Sequence, residues 1–157
     1  MNGATLSFML LGALALILVA SAVEDIRQRT IAHWKYLGIA ALAPLWWWSQ
    51  SLALWPDIAL QIALAIGIFA LFLIPYAIGQ MGGGDLKLLV ALALWLPLAP
   101  MIQLLILMSL LGLAVTVIAI VEHRWRGRPG KSETPYGVAI ALAGLIMLRE
   151  PLFYQFA

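Results

Sequence analysis

Four stretches of this chain run for about twenty residues each without a single charge, the length a helix needs to cross a bilayer at 1.5 Å per residue. They are Thr5 to Val23, Tyr36 to Trp55, Ile58 to Gly79 and Met101 to Val121. A soluble domain cannot hide so many such runs. The whole chain has 157 residues, of which 64% are hydrophobic and only 10% charged, whereas soluble domains carry ~25% charged residues to cover their surface. Lipid is therefore the solvent for most of the outer surface. The predicted fold is all-α: a polytopic helical membrane protein, residues 1–157 forming one domain.

Two further apolar pieces are shorter. Leu88 to Val121 is too long for one helix, and Pro97 with Pro100 divides it. The part from Leu86 to Leu96 covers only roughly 16 Å as helix, about half the hydrocarbon core. The last run, Val138 to Leu148, is also short unless it begins near Pro135 and tilts. The prediction is about six spans, four long and two short.

The basic residues set the orientation. With the N-terminus outside and one crossing per run, Arg27, Arg29, Lys35, Lys87, Arg124, Arg126, Arg128 and Lys131 all fall inside, and only Arg149 falls outside. That bias follows the positive-inside rule. Omitting the short span after Asp85 moves the Arg124 cluster to the wrong side, so charge and run length support the same count. Ala20-Ser21-Ala22 resembles a signal-peptidase site. No basic residue precedes the run, however, and Arg27 and Arg29 follow it, so it is predicted to remain as the first span.

Most polar residues have ordinary explanations. The basic stretch Arg124-Trp125-Arg126-Gly127-Arg128 reads as a cytoplasmic loop against anionic lipid. The seven tryptophans lie near span ends and read as an interfacial belt. His33 and His123 stand alone, and there is no cysteine, so no metal site is predicted. A formal charge of +2 gives no reason to expect nucleic acid.

Asp25 and Asp85 are different. Asp25 ends the first span, in Val23-Glu24-Asp25-Ile26-Arg27; Asp85 follows the third, in Met81-Gly82-Gly83-Gly84-Asp85-Leu86-Lys87. Two spans separate them, so the chain returns to the same side and the two carboxylates can meet. Three consecutive glycines cannot be irregular backbone exposed to lipid, because unpaired amides in hydrocarbon are too costly. They suit a tight turn that is buried or lines a wet cavity, and they let an extended peptide approach closely. Asp85 then sits in a recessed pocket at a helix start, where an ionisable residue points to function. The plainer alternative is that Asp85 caps its helix and Asp25 pairs with Arg27 or Arg29. The residues alone leave both readings open.

Gly82-x-Gly84-Asp85 followed by Leu86-Lys87-Leu88-Leu89 resembles the GxGD motif of the type IV prepilin peptidases, or leader peptidases. Asp25 followed by Ile26-Arg27-x-Arg29-x-Ile31 is similar to the family's first aspartate motif. Pro135-Tyr136-Gly137-Val138-Ala139-Ile140-Ala141 is similar to the ending of its short CpaA/TadV-like branch. The resemblance covers the chain in order. It implies a membrane-embedded aspartic endopeptidase of the inner membrane, with Asp25 and Asp85 catalytic at the cytoplasmic face. Its substrates are then type IV (Flp/Tad-like) prepilins or pseudopilins, whose short basic leader precedes an apolar helix. Pilus or secretion assembly machinery is an expected neighbour. Gly82, Gly83, Gly84, Lys87, Glu24 and Arg27 are the expected surroundings of the site, and no cofactor is expected. Ala32-His33 stands where members often have Pro-Asn, and the cysteine-rich insertion of longer members is missing. Methyl transfer, a second activity of some members, is accordingly not expected.

Two carboxyls placed together cannot both ionise, so they share a proton. The ionised member takes a proton from the attacking water, and the protonated one donates to the developing oxyanion. Two rivals make different predictions. A proton-coupled transporter or channel subunit shows flux that depends on Asp85; a non-catalytic secretion subunit tolerates loss of both aspartates.

Overall fold

The computed structural model describes residues 3–125 and 136–148. Arg126, Gly127, Arg128, Lys131, Pro135 and Arg149 of the sequence argument lie outside them. The described residues form six α-helices and no strand. These are α1 (Gly3–Gln28), α2 (His33–Ser49), α3 (Ala59–Ala77), α4 (Gly83–Ala93), α5 (Leu98–Trp125) and α6 (Tyr136–Met147), with one irregular helical turn, Leu54–Ile58, leading into α3.

Three segments are long and apolar enough to cross a membrane: Gly3–Gln28, Leu54–Ala77 and Leu98–Ile118. The other three helices are shorter, with 17 residues in α2, 11 in α4 and 12 in α6. The protein is a helical membrane protein, with three segments long enough to span and three shorter helices among the described residues. The second apolar run does not stay helical to Trp55; a turn at Gln50–Ala53 interrupts it, because Gln50 and Ser51 follow Ser49 and Ser51 takes a positive φ of 55°. Pro97 divides α4 from α5, but Pro100 does not break the chain: it lies in the first turn of α5, where a missing N–H leaves no helical bond unmade.

The short helices occupy the middle. α4 packs against α2, α3 and α6, and α6 packs against α1, α4 and α5. Seven residues of each are buried, including Leu88, Leu89 and Leu92 of α4 and Ala139, Ala141 and Ala143 of α6. Small side chains let backbones approach, which is how helices associate when lipid removes the usual hydrophobic drive. At the α1–α6 crossing, a Cβ on Gly144 would stand 3.0 Å from Leu18 Cδ1. The long helices α3 and α5 turn large apolar side chains outward instead, among them Leu60, Ile66, Ile74, Ile106, Leu110 and Ile118.

A helix that stops inside the protein leaves its last carbonyls without helical partners. At the end of α4, Gln61 Nε2 donates to the Ala93 carbonyl at 3.0 Å and Trp47 Nε1 to that of Leu94 at 2.7 Å. Trp95 is buried, stacks on Trp46 at 5.4 Å between ring centroids, and donates to the Ile39 carbonyl at 2.9 Å. These indoles serve the interior, not the expected interfacial belt; Trp34, Trp48, Trp55 and Trp125 are the exposed ones. Isolated hydroxyls are satisfied locally: Ser7, Ser21, Ser109 and Thr116 each donate to the carbonyl four residues back.

Candidate active site

Asp25 belongs to a helical stripe. Leu11, Leu14, Leu18, Ser21 and Asp25 recur at alternating steps of three and four and are all buried, so the periodicity that turns the leucines inward turns the carboxylate inward too. One turn further, the Arg29 N–H donates to the Asp25 carbonyl at 2.9 Å and Arg29 takes a left-handed φ of 53°. This is the usual way a helix ends, in a conformation that glycine adopts at no steric cost. The chain then reverses through Thr30, Ile31 and Ala32 into α2.

Asp85 is placed by the glycines, each with its own steric reason. Gly82 is the N-cap of α4, in extended conformation, and its backbone amide lies close to the Asp85 carboxylate. A Cβ there would come within 2.9 Å of Asp85 Oδ2. A Cβ on Gly83 would stand 3.1 Å from the Tyr76 ring, and one on Gly84 would stand 3.2 Å from Ile31 Cβ. Asp85 is therefore not the N-cap residue itself: it lies in the first turn of α4, after Gly82 at the cap, with its carboxylate at the mouth of a recess.

The third wall is the amino end of α6. Val138 N–H donates to Asp25 Oδ2 at 3.0 Å, and the Gly137 amide also faces this carboxylate. A Cβ on Gly137 would meet Asp25 Oδ2 at 2.8 Å and Ile31 Cδ1 at 2.9 Å. Backbone donors at a helix amino end orient an anion without side-chain flexibility.

Asp25 is 5% exposed and Asp85 9%. Both line one half-open cavity of about 280 Å³, within electrostatic reach of each other. That volume holds several waters at about 30 Å³ each, or one water beside a short length of extended chain. Arg29, His33, Tyr36 and Lys87 border it. Lys87 Nζ lies 3.4 Å from Tyr36 Oη and 5.2 Å from the ring centroid, a cation held over an aromatic face. Two carboxyls from different helices thus open onto one recess.

Of the residues expected around the pair, Gly82, Gly83, Gly84 and Lys87 line the cavity. Glu24 and Arg27 lie outside it: Arg27 is exposed, and Glu24 is engaged by Lys35 and by the Ala32 amide. Sequence reasoning missed Ile31, Tyr36 and the amides of Gly137 and Val138. The stripe ending at Asp25 carries a signal for the first aspartate's direction. A backbone amide carries none, and Gly137 is marked only as a glycine at the start of an apolar run. Among the described residues, no three metal-ligating side chains come together.

A model of the type IV leader peptidase family matches residues 12–117. That stretch contains both aspartates and the glycine loop and ends before α6, whose amides hold Asp25. No curated protein and no solved structure matches the chain.

Proposed function

The chain belongs to the type IV leader peptidase family, and from that premise we propose that Asp25 and Asp85 are its catalytic dyad. The observation that carries this reading is the shared cavity: the two carboxyls come from different helices, are almost fully buried, and open onto the same recess. With one proton between them, the ionised carboxyl accepts a proton from water as the oxygen attacks the scissile carbonyl. The protonated carboxyl then donates to the carbonyl oxygen, where negative charge develops. Collapse of the tetrahedral intermediate breaks the C–N bond: the departing amine takes up the dyad's proton, and one hydroxyl of the intermediate returns a proton to the dyad as the carbonyl re-forms. Val138 N–H and the Gly82 amide keep the two carboxyls oriented throughout, so little reorganisation is needed in the transition state.

The substrate in this proposal is a prepilin or pilin-like precursor, of the Flp/Tad type, with a short basic leader before an apolar helix. The apolar helix would lie in the bilayer beside the protein while the leader enters the cavity from the cytoplasm. The concentration of basic residues on the Asp25 side of the spans supports that orientation and an inner-membrane location. The glycine turn supports close approach of an extended peptide.

The test is direct. Protein purified in detergent is incubated with such a precursor, and the products are weighed by mass spectrometry. A single cut between leader and apolar helix is expected. An intact precursor, together with proton or ion flux in reconstituted vesicles, would instead assign the aspartates to transport.

A further inference from the structure

Lys35 is a buried cation that the dyad does not use directly. It is 5% exposed, and its Nζ donates to Glu24 Oε2 at 2.6 Å and to the Ala20 carbonyl at 2.7 Å. The same Glu24 oxygen accepts the Ala32 N–H at 2.9 Å. One carboxylate oxygen and one ammonium thus tie together the last turns of α1, the link between the helices, and the first turn of α2. Lys35 is buried while Glu24 is about one-fifth exposed; a buried cation stays only where its geometry and hydrogen bonds are good, and here each partner has a further backbone contact.

Ile31 sits inside that strap, 6% exposed. It is wedged between the backbone of α4, which carries Asp85, and that of α6, whose amide holds Asp25: the position a Cβ would take on Gly84, next to Asp85, is 3.2 Å from Ile31 Cβ. The corresponding position on Gly137, next to the amide that holds Asp25, is 2.9 Å from Ile31 Cδ1. Ile31 cannot move without releasing one side of the recess or pressing on the other.

We infer that Lys35 and Glu24 are positioning residues: they lock the link between α1 and α2 so that Ile31 acts as a spacer setting the separation of Asp25 and Asp85. This rests on the dyad reading for its catalytic consequence, but the geometry can be tested without it. The chain has no cysteine, so a double substitution Asp25→Cys with Asp85→Cys introduces the only two thiols. In an otherwise unchanged protein the pair is expected to cross-link under mild oxidation. Adding Lys35→Met is expected to slow cross-linking by about tenfold, as the two thiols, on α1 and α4, drift apart by a fraction of an ångström to an ångström. An unchanged rate in that background overturns the inference.

Activity supplies the second arm. On a precursor that the unmodified protein cleaves, Lys35→Met should lower kcat by about a hundredfold with KM within about twofold, the mark of lost orientation and not of lost binding. Ile31→Ala should do the same. If both act through one spacer, the double variant is no worse than the more damaged single one. Losses that multiply refute the shared route. Replacing both charges, Glu24→Leu with Lys35→Met, keeps the fold, since an apolar pair can substitute for a buried ion pair. Its thermal midpoint should return to that of the parent while kcat stays low; recovery of kcat with the midpoint means a merely structural pair. If the unmodified protein cleaves no precursor yet the cross-link slows as expected, the spacer stands and the peptidase reading falls.

Discussion

The two short helices α4 and α6 and the two long ones α3 and α5 are made from nearly the same residues, yet they meet different solvents. Leucine, alanine and isoleucine dominate all four. α4 and α6 bury most of their residues against other helices, whereas α3 and α5 present most of their large side chains outward. Apolar composition says only that a segment avoids water. Length and side-chain size say which shelter it takes: α3, with the turn before it, and α5 are long and apolar enough to cross a bilayer, whereas α4 and the described part of α6 are shorter and carry alanine and glycine where neighbours press close. The site lies where these two helices begin. Asp85 sits in the first turn of one such helix, and the first turn of the other holds Asp25.

Paired substitutions in the two regions put the comparison at risk. The largest contrast concerns glycine. Gly137→Val in α6 would drive side-chain atoms into Asp25 and Ile31, and precursor cleavage should fall by at least about a hundredfold. Gly67→Val in α3 meets nothing within 4 Å, and cleavage should stay within about twofold of the parent. Equal losses in the two variants, measured at matched protein levels in membranes, would erase the distinction between core and periphery.

A smaller contrast concerns leucine. Leu92→Ala in α4 removes a side chain that is 1% exposed, and Leu110→Ala in α5 removes one that is 62% exposed. Lipid resembles leucine as a solvent, so the transfer part of the usual cost is absent and the cavity and lost contacts remain. Detergent unfolding should show about 2 kcal/mol for Leu92→Ala and about zero for Leu110→Ala. The smallest effect sharpens the account of how a half-length helix ends. Gln61→Leu withdraws the donor from the Ala93 carbonyl and should cost about 1–2 kcal/mol, the penalty for an orphaned buried acceptor. No change in unfolding would mean that the end of α4 is satisfied in another way.

How much of this was legible in the residues depends on which physical signal each part leaves. The helical membrane class, the Pro97 break and the half-length of α4 are written in run length and hydropathy. The inward direction of Asp25 is written in the spacing Leu11, Leu14, Leu18, Ser21, Asp25. The recess at Asp85 is written in three consecutive glycines, although the reason for each glycine, a carboxylate, a tyrosine ring and an isoleucine, needed the neighbouring helices. Other parts leave no such trace. A tryptophan near a span end looks the same whether it faces headgroups, as the exposed Trp48 suits, or caps a buried carbonyl, as Trp47 does. Glu24 and Lys35 are charges near an interface until the fold shows them joined. The Val138 amide is backbone, and backbone donors are identical at every position. Tertiary proximity decided these cases, and one chain read alone does not contain it.

Whether Asp25 and Asp85 operate as one hydrolytic unit is read from single-turnover cleavage by the two asparagine variants and their combination. Asp25→Asn, Asp85→Asn and the double variant should each insert and fold as the parent does, and each should lose at least about a thousandfold in rate, the double no more than the singles, because a unit that has lost one member gains nothing from keeping the other. Cleavage at the parental rate by either single variant, or losses that multiply in the double, would contradict the dyad.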